Sequence, residues 1–226
     1  MSEVDALGSP GEAGPRAGGY ANGRATRRAI ITAAAEHFVV RGFEAATVRD
    51  IAAAVGISRA GLLRHFPGKE ALLQAVLEDR DVRDYEHFRP YARIHGGIGV
   101  LRGIIDLSER NEGAPGMVDL FVRLSTEACH PQHPAHGYFR ERYAAIRRRT
   151  EQSLRSAATA GYLRDDVDPE DAAARLTALM DGLQVQWVLD PDQKMHTRVQ
   201  KAIEELLTEA GKDALARATP APRAAS

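Results

Sequence analysis

The chain has 226 residues, 44% of them apolar and 27% charged, with a formal net charge of −1, the make-up of a globular protein with one large domain or two small ones. No run approaches the roughly 18 apolar residues of a membrane span, no positively charged start leads into an apolar stretch, and the single Cys129 excludes an intrachain disulfide. The expectation is a cytoplasmic protein without membrane contact.

The near-zero total charge conceals an asymmetry. Residues 24–70 carry eight Lys or Arg against four Asp or Glu, whereas residues 71–226 carry 21 against 24. A small basic head on a mildly acidic body is the distribution expected when the head meets phosphates.

Residues 1–23 are rich in Gly, Pro and Ala, with little apolar surface to offset ordering, and read as a flexible arm. From it Arg16 and Arg24 could reach a minor groove; the competing reading is a tail without function. A helical pattern starts at Thr26, with Ile30, Ala34 and Phe38 at four-residue steps and Gly42 as its stop. Phe43 can pack back on that helix end.

Residues 47–66 read as two short helices meeting at a tight turn. Thr47 caps the first and Asp50 puts a carboxylate at its positive end; Ile51 and Val55 share a face, and Gly56 supplies the left-handed stop. Ser58 caps the second, whose Leu62 and Phe66 pack it back on the first. This is helix-turn-helix grammar. The second helix of such a pair enters the major groove, so its outward Arg59, Ala60, Leu63 and Arg64 would face bases and phosphates. The bland alternative is two tightly crossing core helices with solvated arginines.

The segment from Gly61 to Leu73, with its His65-Phe66-Pro67-x-Lys69-Glu70 junction, follows a helix ending in Arg41-Gly42-Phe43. Over about residues 24–78 the chain resembles the TetR family of bacterial transcriptional regulators. One departure is Leu63, where members commonly carry a Tyr, so a phenol contact to phosphate is not carried over. The resemblance implies an all-α homodimer that binds double-stranded operator DNA, with two recognition helices on a near-palindrome. Thr47, Ser58, Ala60, Leu63, His65 and Lys69 would then position the head on phosphates, and Arg59 and Arg64 would contact bases. Lys69 opens a helix, where a cation is unfavourable unless a phosphate approaches; Glu70 could instead neutralise it locally.

That helix should run to about Tyr85 and link head to body, with residues 88–99 as a connection because of Pro90, Gly96 and Gly97. Residues 100–107 and 117–128 read as inner helices separated by a break at 113–116. The stretch from Cys129 to His136 holds three histidines and the thiol, but two prolines interrupt it and no acidic second shell is evident, so no metal is assigned. Residues 138–160 form an amphipathic helix whose outer Arg147, Arg148 and Arg149 read as a solvated face pairing with Glu141 and Glu151, or as a second nucleic-acid surface. Asp168-Pro169-Glu170-Asp171 is a strong helix start. The helix should end near Leu189, with Leu176, Leu179, Leu183 and Trp187 filling the chain's own core or, with the last helix at 195–210, packing on a second copy.

The resulting organisation is all-α: an arm (1–23), a three-helix head (24–84, motif 47–66) joined by a linking helix to a helical ligand-binding and dimerisation body (85–210), and a flexible tail (211–226). Control is expected from a small apolar or amphipathic effector between helices near Leu107, Phe121, Tyr143 and Trp187. No cofactor is called for, and no Gly-rich phosphate loop or triad-like set suggests an enzyme. The other open class is a helical adaptor that binds protein through its Arg-rich helix.

Overall fold

The computed structural model describes residues 17–219, which form nine helices and no strand. Helix α1 (Ala17–Ala45) covers the head from behind with Ile30, Ala34 and Phe38 fully buried. It bends at Gly42 (φ 76°), after which the Phe43 ring folds back edge-on to Phe38 at 5.6 Å. Residues 17–23, expected in the arm, are instead helical: they extend α1 at its N-terminal end, where lengthening a helix whose nucleus exists needs no new nucleation, although Gly18, Gly19 and Gly23 disfavour it. Arg16 lies outside the described residues, and Arg24 is exposed on α1.

Helices α2 (Val48–Ala54) and α3 (Arg59–His65) form the helix-turn-helix pair. The turn needs a left-handed residue, and Gly56 takes φ 72° there without a β-carbon to clash. Ile51, Ala52 and Leu62 close the seam between the two helices, all three at 1% exposure or less.

Helix α4 (Lys69–Glu112) corrects the expected stop at Tyr85, since it runs through Pro90, but the break expected within 88–99 is there: Gly96 leaves the helical region (φ 59°, ψ −136°) and divides α4 into two helical segments. Tertiary anchoring overrides the signal at Pro90 but not the one at Gly96. Tyr91 is 3% exposed and donates its hydroxyl to the Asp106 carboxylate, holding the two sides of the bend together. Gly97 serves a close approach rather than a break, since a β-carbon there would collide with the Ser153 carbonyl oxygen of the facing helix.

That facing helix is α6 (His136–Thr159); α5 (Pro115–Glu127) precedes it and α7 (Pro169–Leu189) follows, the latter capped by Asp168, which accepts from the Glu170 amide at 3.2 Å. The stripe on α7 faces inward, with Leu176, Leu183 and Trp187 buried, so within the protomer it is core. The face left open on α7 carries Val185 and Leu189, 44% and 82% exposed. The expected last helix is two: α8 (Met195–Glu204) and, after a single β-bridge between Leu163 and Leu207, α9 (Glu209–Arg217). Residues 211–217 therefore depart from the flexible tail expected there; Thr208 caps α9 by accepting from the Gly211 amide, and Leu215 is buried.

Two apolar clusters hold the chain. The first joins the head to the start of α4, α5 and Phe139 of α6; the second joins the end of α4 to α7, α8 and α9.

Candidate nucleic-acid interface and body cavity

In the head, Thr47 and Ser58 cap α2 and α3 through their hydroxyl oxygens, which accept from the amides of Asp50 (3.1 Å) and Gly61 (3.0 Å). Each cap fixes where its helix begins, so the side that buries Leu62 also settles which residues of α3 face away. Arg59, Ala60 and Arg64 are exposed, Leu63 and His65 half-buried. Neither Arg59 nor Arg64 has an ion-pair partner among the described residues, whereas Arg41 is held to Asp50 at 2.9 Å, tying α1 to α2. Arg27, which sequence reasoning passed over, stacks its guanidinium 4.2 Å above the Phe66 ring and points towards the His65 carbonyl at 3.5 Å, steadying the end of α3.

Lys69 is engaged within the protein. Its ammonium donates to the Glu44 carbonyl (2.9 Å) and sits 4.5 Å from the Phe43 ring centre, tying the start of α4 to the end of α1. The unfavourable charge at the helix start is thus offset by an orphan carbonyl at another helix's end.

Between α4 and α6 the body holds a cavity of about 600 Å³. Leu107 lines it, together with Phe88, Val100 and Ile104. The other three expected ligand residues do not converge on it. Phe121 and Tyr143 line a separate, smaller cleft beside Asp181, and Trp187 lies in the second apolar cluster. Amphipathic faces identified inward residues, but only the path of α4 decides which faces leave space between them.

A polar cluster, not anticipated from sequence, separates cavity and head. Arg80 is buried, lies 3.7 Å over the Phe121 ring and donates to the Met117 carbonyl at 3.3 Å; burial pushes its pKa down to about 10 despite nearby Asp84. Burial likewise raises the Asp84 carboxyl, against the pull of Arg80 at 3.8 Å. Asp81 accepts from the Tyr138 hydroxyl (2.7 Å) and from Arg142 (2.5 Å), a bridge from α4 to α6. In the smaller cleft, burial and then Asp181 push the Tyr143 hydroxyl up to about 12, and burial raises the Asp181 carboxyl.

The arginines of α6 do not pair as expected. Glu151 is taken by Arg155 at 2.7 Å, and Arg149 lies 5.5 Å from the Tyr85 ring at the cavity. The histidines after α5 serve the backbone: His136 bonds the Ala128 carbonyl through Nδ1 (2.8 Å), and Nδ1 of His133 accepts from the Ala135 amide (3.2 Å). Among the described residues no group of three His, Cys, Asp or Glu is placed to hold a metal ion, and no helix is long and apolar enough to cross a membrane.

The family model of bacterial regulatory proteins, tetR family, matches residues 30–76, and that of the BetI-type transcriptional repressor, C-terminal, matches residues 104–223, more than half of the chain. The HTH-type transcriptional repressor Rv1474c of Mycobacterium tuberculosis is 29% identical over 70% of this chain and 80% of its own length. The HTH-type transcriptional regulator UidR of Escherichia coli K12 is 30% identical over 63% of this chain and 71% of its own. Among solved structures, a complex of SmeT with triclosan superposes with a TM-score of 0.72 over 83% of this chain and 94% of that one, at 21% identity, a likeness of fold.

Proposed function

Since this chain belongs to the TetR family of transcriptional regulators, we propose that it acts as a homodimeric repressor that binds a near-palindromic operator and is released by a small-molecule effector. The observation that carries the DNA half is α3 itself: Leu62 is fully buried while Arg59, Ala60 and Arg64 stand exposed on the same two turns. Arg59 and Arg64 are the base-reading candidates. Thr47, Ser58, Ala60, Leu63 and His65 set the head on phosphates. Lys69 supports this placement from behind, through Glu44 and Phe43.

A second copy packs on the open face of α7, where Val185 and Leu189 stand in solvent in the isolated protomer. The two-fold axis sets the spacing of the heads, hence the half-site separation. The effector occupies the cavity between α4 and α6 and favours a form whose heads are misplaced for DNA, so occupancy falls by differential affinity. With DNA as partner the site of action is the cytoplasm, and no enzymatic step is assigned.

Selection from random duplexes at moderate salt, followed by footprinting, tests the reading. A near-palindrome protected with steep salt dependence is the expected result. Selection of no sequence would overturn it and leave the protein-binding adaptor.

A further inference from the structure

The cavity between α4 and α6 has two unlike ends. Towards the head, both carboxylates of its wall are already met: Asp81 by Tyr138 and Arg142, Asp84 by Arg80 at 3.8 Å. Towards the open side, Arg89 and Arg93 of α4, one helical turn apart, and Arg149 of α6 line the space. None of these three has an ion-pair partner among the described residues, and all three are exposed. The α4 wall between the two ends is apolar, formed by Phe88, Val100, Ile104 and Leu107, and α6 adds Thr150 and Ser153.

An apolar slot with unpaired guanidiniums at its mouth suits one kind of molecule. From these residues we infer that the cavity takes an amphipathic anion, an apolar chain or ring bearing one carboxylate or phosphate group, with Arg149 as the principal head-group ligand and Arg89 and Arg93 beside it. Guanidinium supplies paired donors that match the oxygens of such groups, and partial desolvation at a cavity mouth strengthens the contact. A cationic ligand fits poorly. It would need a free carboxylate or a box of aromatic faces, yet the acids are engaged and Arg149 already lies against Tyr85, at 5.5 Å from the ring centre. This inference names the ligand class of the site and rests on reading the cavity as the effector site.

Calorimetry on the full chain tests it with four probes of equal chain length, each below its micelle concentration: decanoate, decyl phosphate, 1-decanol and decyltrimethylammonium. Decanoate or decyl phosphate should bind at least about tenfold tighter than decanol, with the cation weakest, and the better anion tells carboxylate from phosphate. Arg149→Gln should weaken the anions about tenfold and leave decanol unchanged, with Arg149→Lys recovering part of the loss. All three arginines are exposed, so folding is not at stake, and a matching thermal melt verifies that.

Decanol binding as tightly as the anions, a preference for the cation, or no binding by any probe would overturn the inference. So would anion affinity unaltered in both Arg149→Gln and the Arg89→Gln, Arg93→Gln double variant. Adding the same anions to the operator complex separates the two readings: Arg149-dependent binding without DNA release leaves the anion site standing and removes the effector role. Release lost in Arg149→Gln supports both.

Discussion

The front of the molecule and its rear are each closed by their own apolar cluster, and they differ in what they leave outside. In front, α1, α2 and α3 bury Ile30, Phe38, Ile51 and Leu62 along the seam, and what α3 leaves exposed includes the basic Arg59 and Arg64. At the rear, α4 and α6 approach closely at Gly97 yet leave a cavity between them alongside that contact. A small domain that must present a fixed surface to a rigid duplex can afford no internal space, whereas one that admits small molecules keeps some. The long α4 belongs to both clusters, and the Arg80, Asp81 and Arg142 contacts stand where one gives way to the other. A displacement at the cavity therefore reaches the head along α4 and through α5 and α6, which also contribute to both clusters.

The largest expected effects test whether the clusters are separable. Leu62→Ala in front and Leu154→Ala at the rear each delete a fully buried side chain and should cost about 2–5 kcal/mol by denaturant unfolding. If the clusters are distinct, the first abolishes DNA binding at temperatures where ligand still binds, and the second does the reverse; joint loss in both variants would break the distinction. Arg59→Ala comes next, with about 1–3 kcal/mol of operator affinity lost and preference relaxed at one base position, and ligand affinity unchanged. Gly97→Ala should cost about 1–3 kcal/mol of stability, since its β-carbon meets the Ser153 backbone, and it should alter ligand affinity before DNA affinity.

A pH experiment probes the rear cluster alone. Glu112 accepts from the amide (3.0 Å) and ring Nδ1 (2.9 Å) of His196, capping α8. Burial works to raise its pKa, but the His196 donors outweigh it and hold the carboxyl below the ordinary range. A depressed carboxylate contributes stability that is present above the unfolded pKa and lost as pH falls through the folded one. Glu112→Gln should thus cost about 1–2 kcal/mol at neutral pH, and the gap to the parent should close on acidification below the ordinary carboxylate range. The smallest effect belongs to Lys69→Ala. With its ammonium on Glu44, the change should remove about 1 kcal/mol of stability and leave the salt slope of DNA binding unaltered. A slope flattened by about 1 would instead make Lys69 a phosphate contact.

The head was largely legible in the sequence because its signals are local. The caps at Thr47 and Ser58, the left-handed Gly56 and the buried Leu62 each act within four residues of themselves, and the structure carries all of them. The body was legible in class but not in detail. Of the three breaker signals, Gly96 does break α4 and Gly97 admits α6, whereas Pro90 stays helical beside the buried Tyr91. The misreading of Pro90 concealed the cavity: Arg89 and Arg93 stand one turn apart only if residues 88–95 are helical. Helix α9 was hidden by the alanine-rich composition around it, although Thr208 and Glu209 carry an ordinary start signal. Lys69 drew attention as a misplaced cation, and its resolution depends on Glu44, 25 positions away.

Trp187 is the chain's single tryptophan, 4% exposed within the rear cluster. The protein's intrinsic ultraviolet emission therefore comes chiefly from one indole set among α7 and its neighbours and none from the DNA-reading face. A red shift on heating would mark the rear opening to water. Fraying of the front would pass unseen by that signal, so a melt followed by fluorescence and one followed by far-ultraviolet dichroism would coincide only if the whole chain unfolds as a single unit.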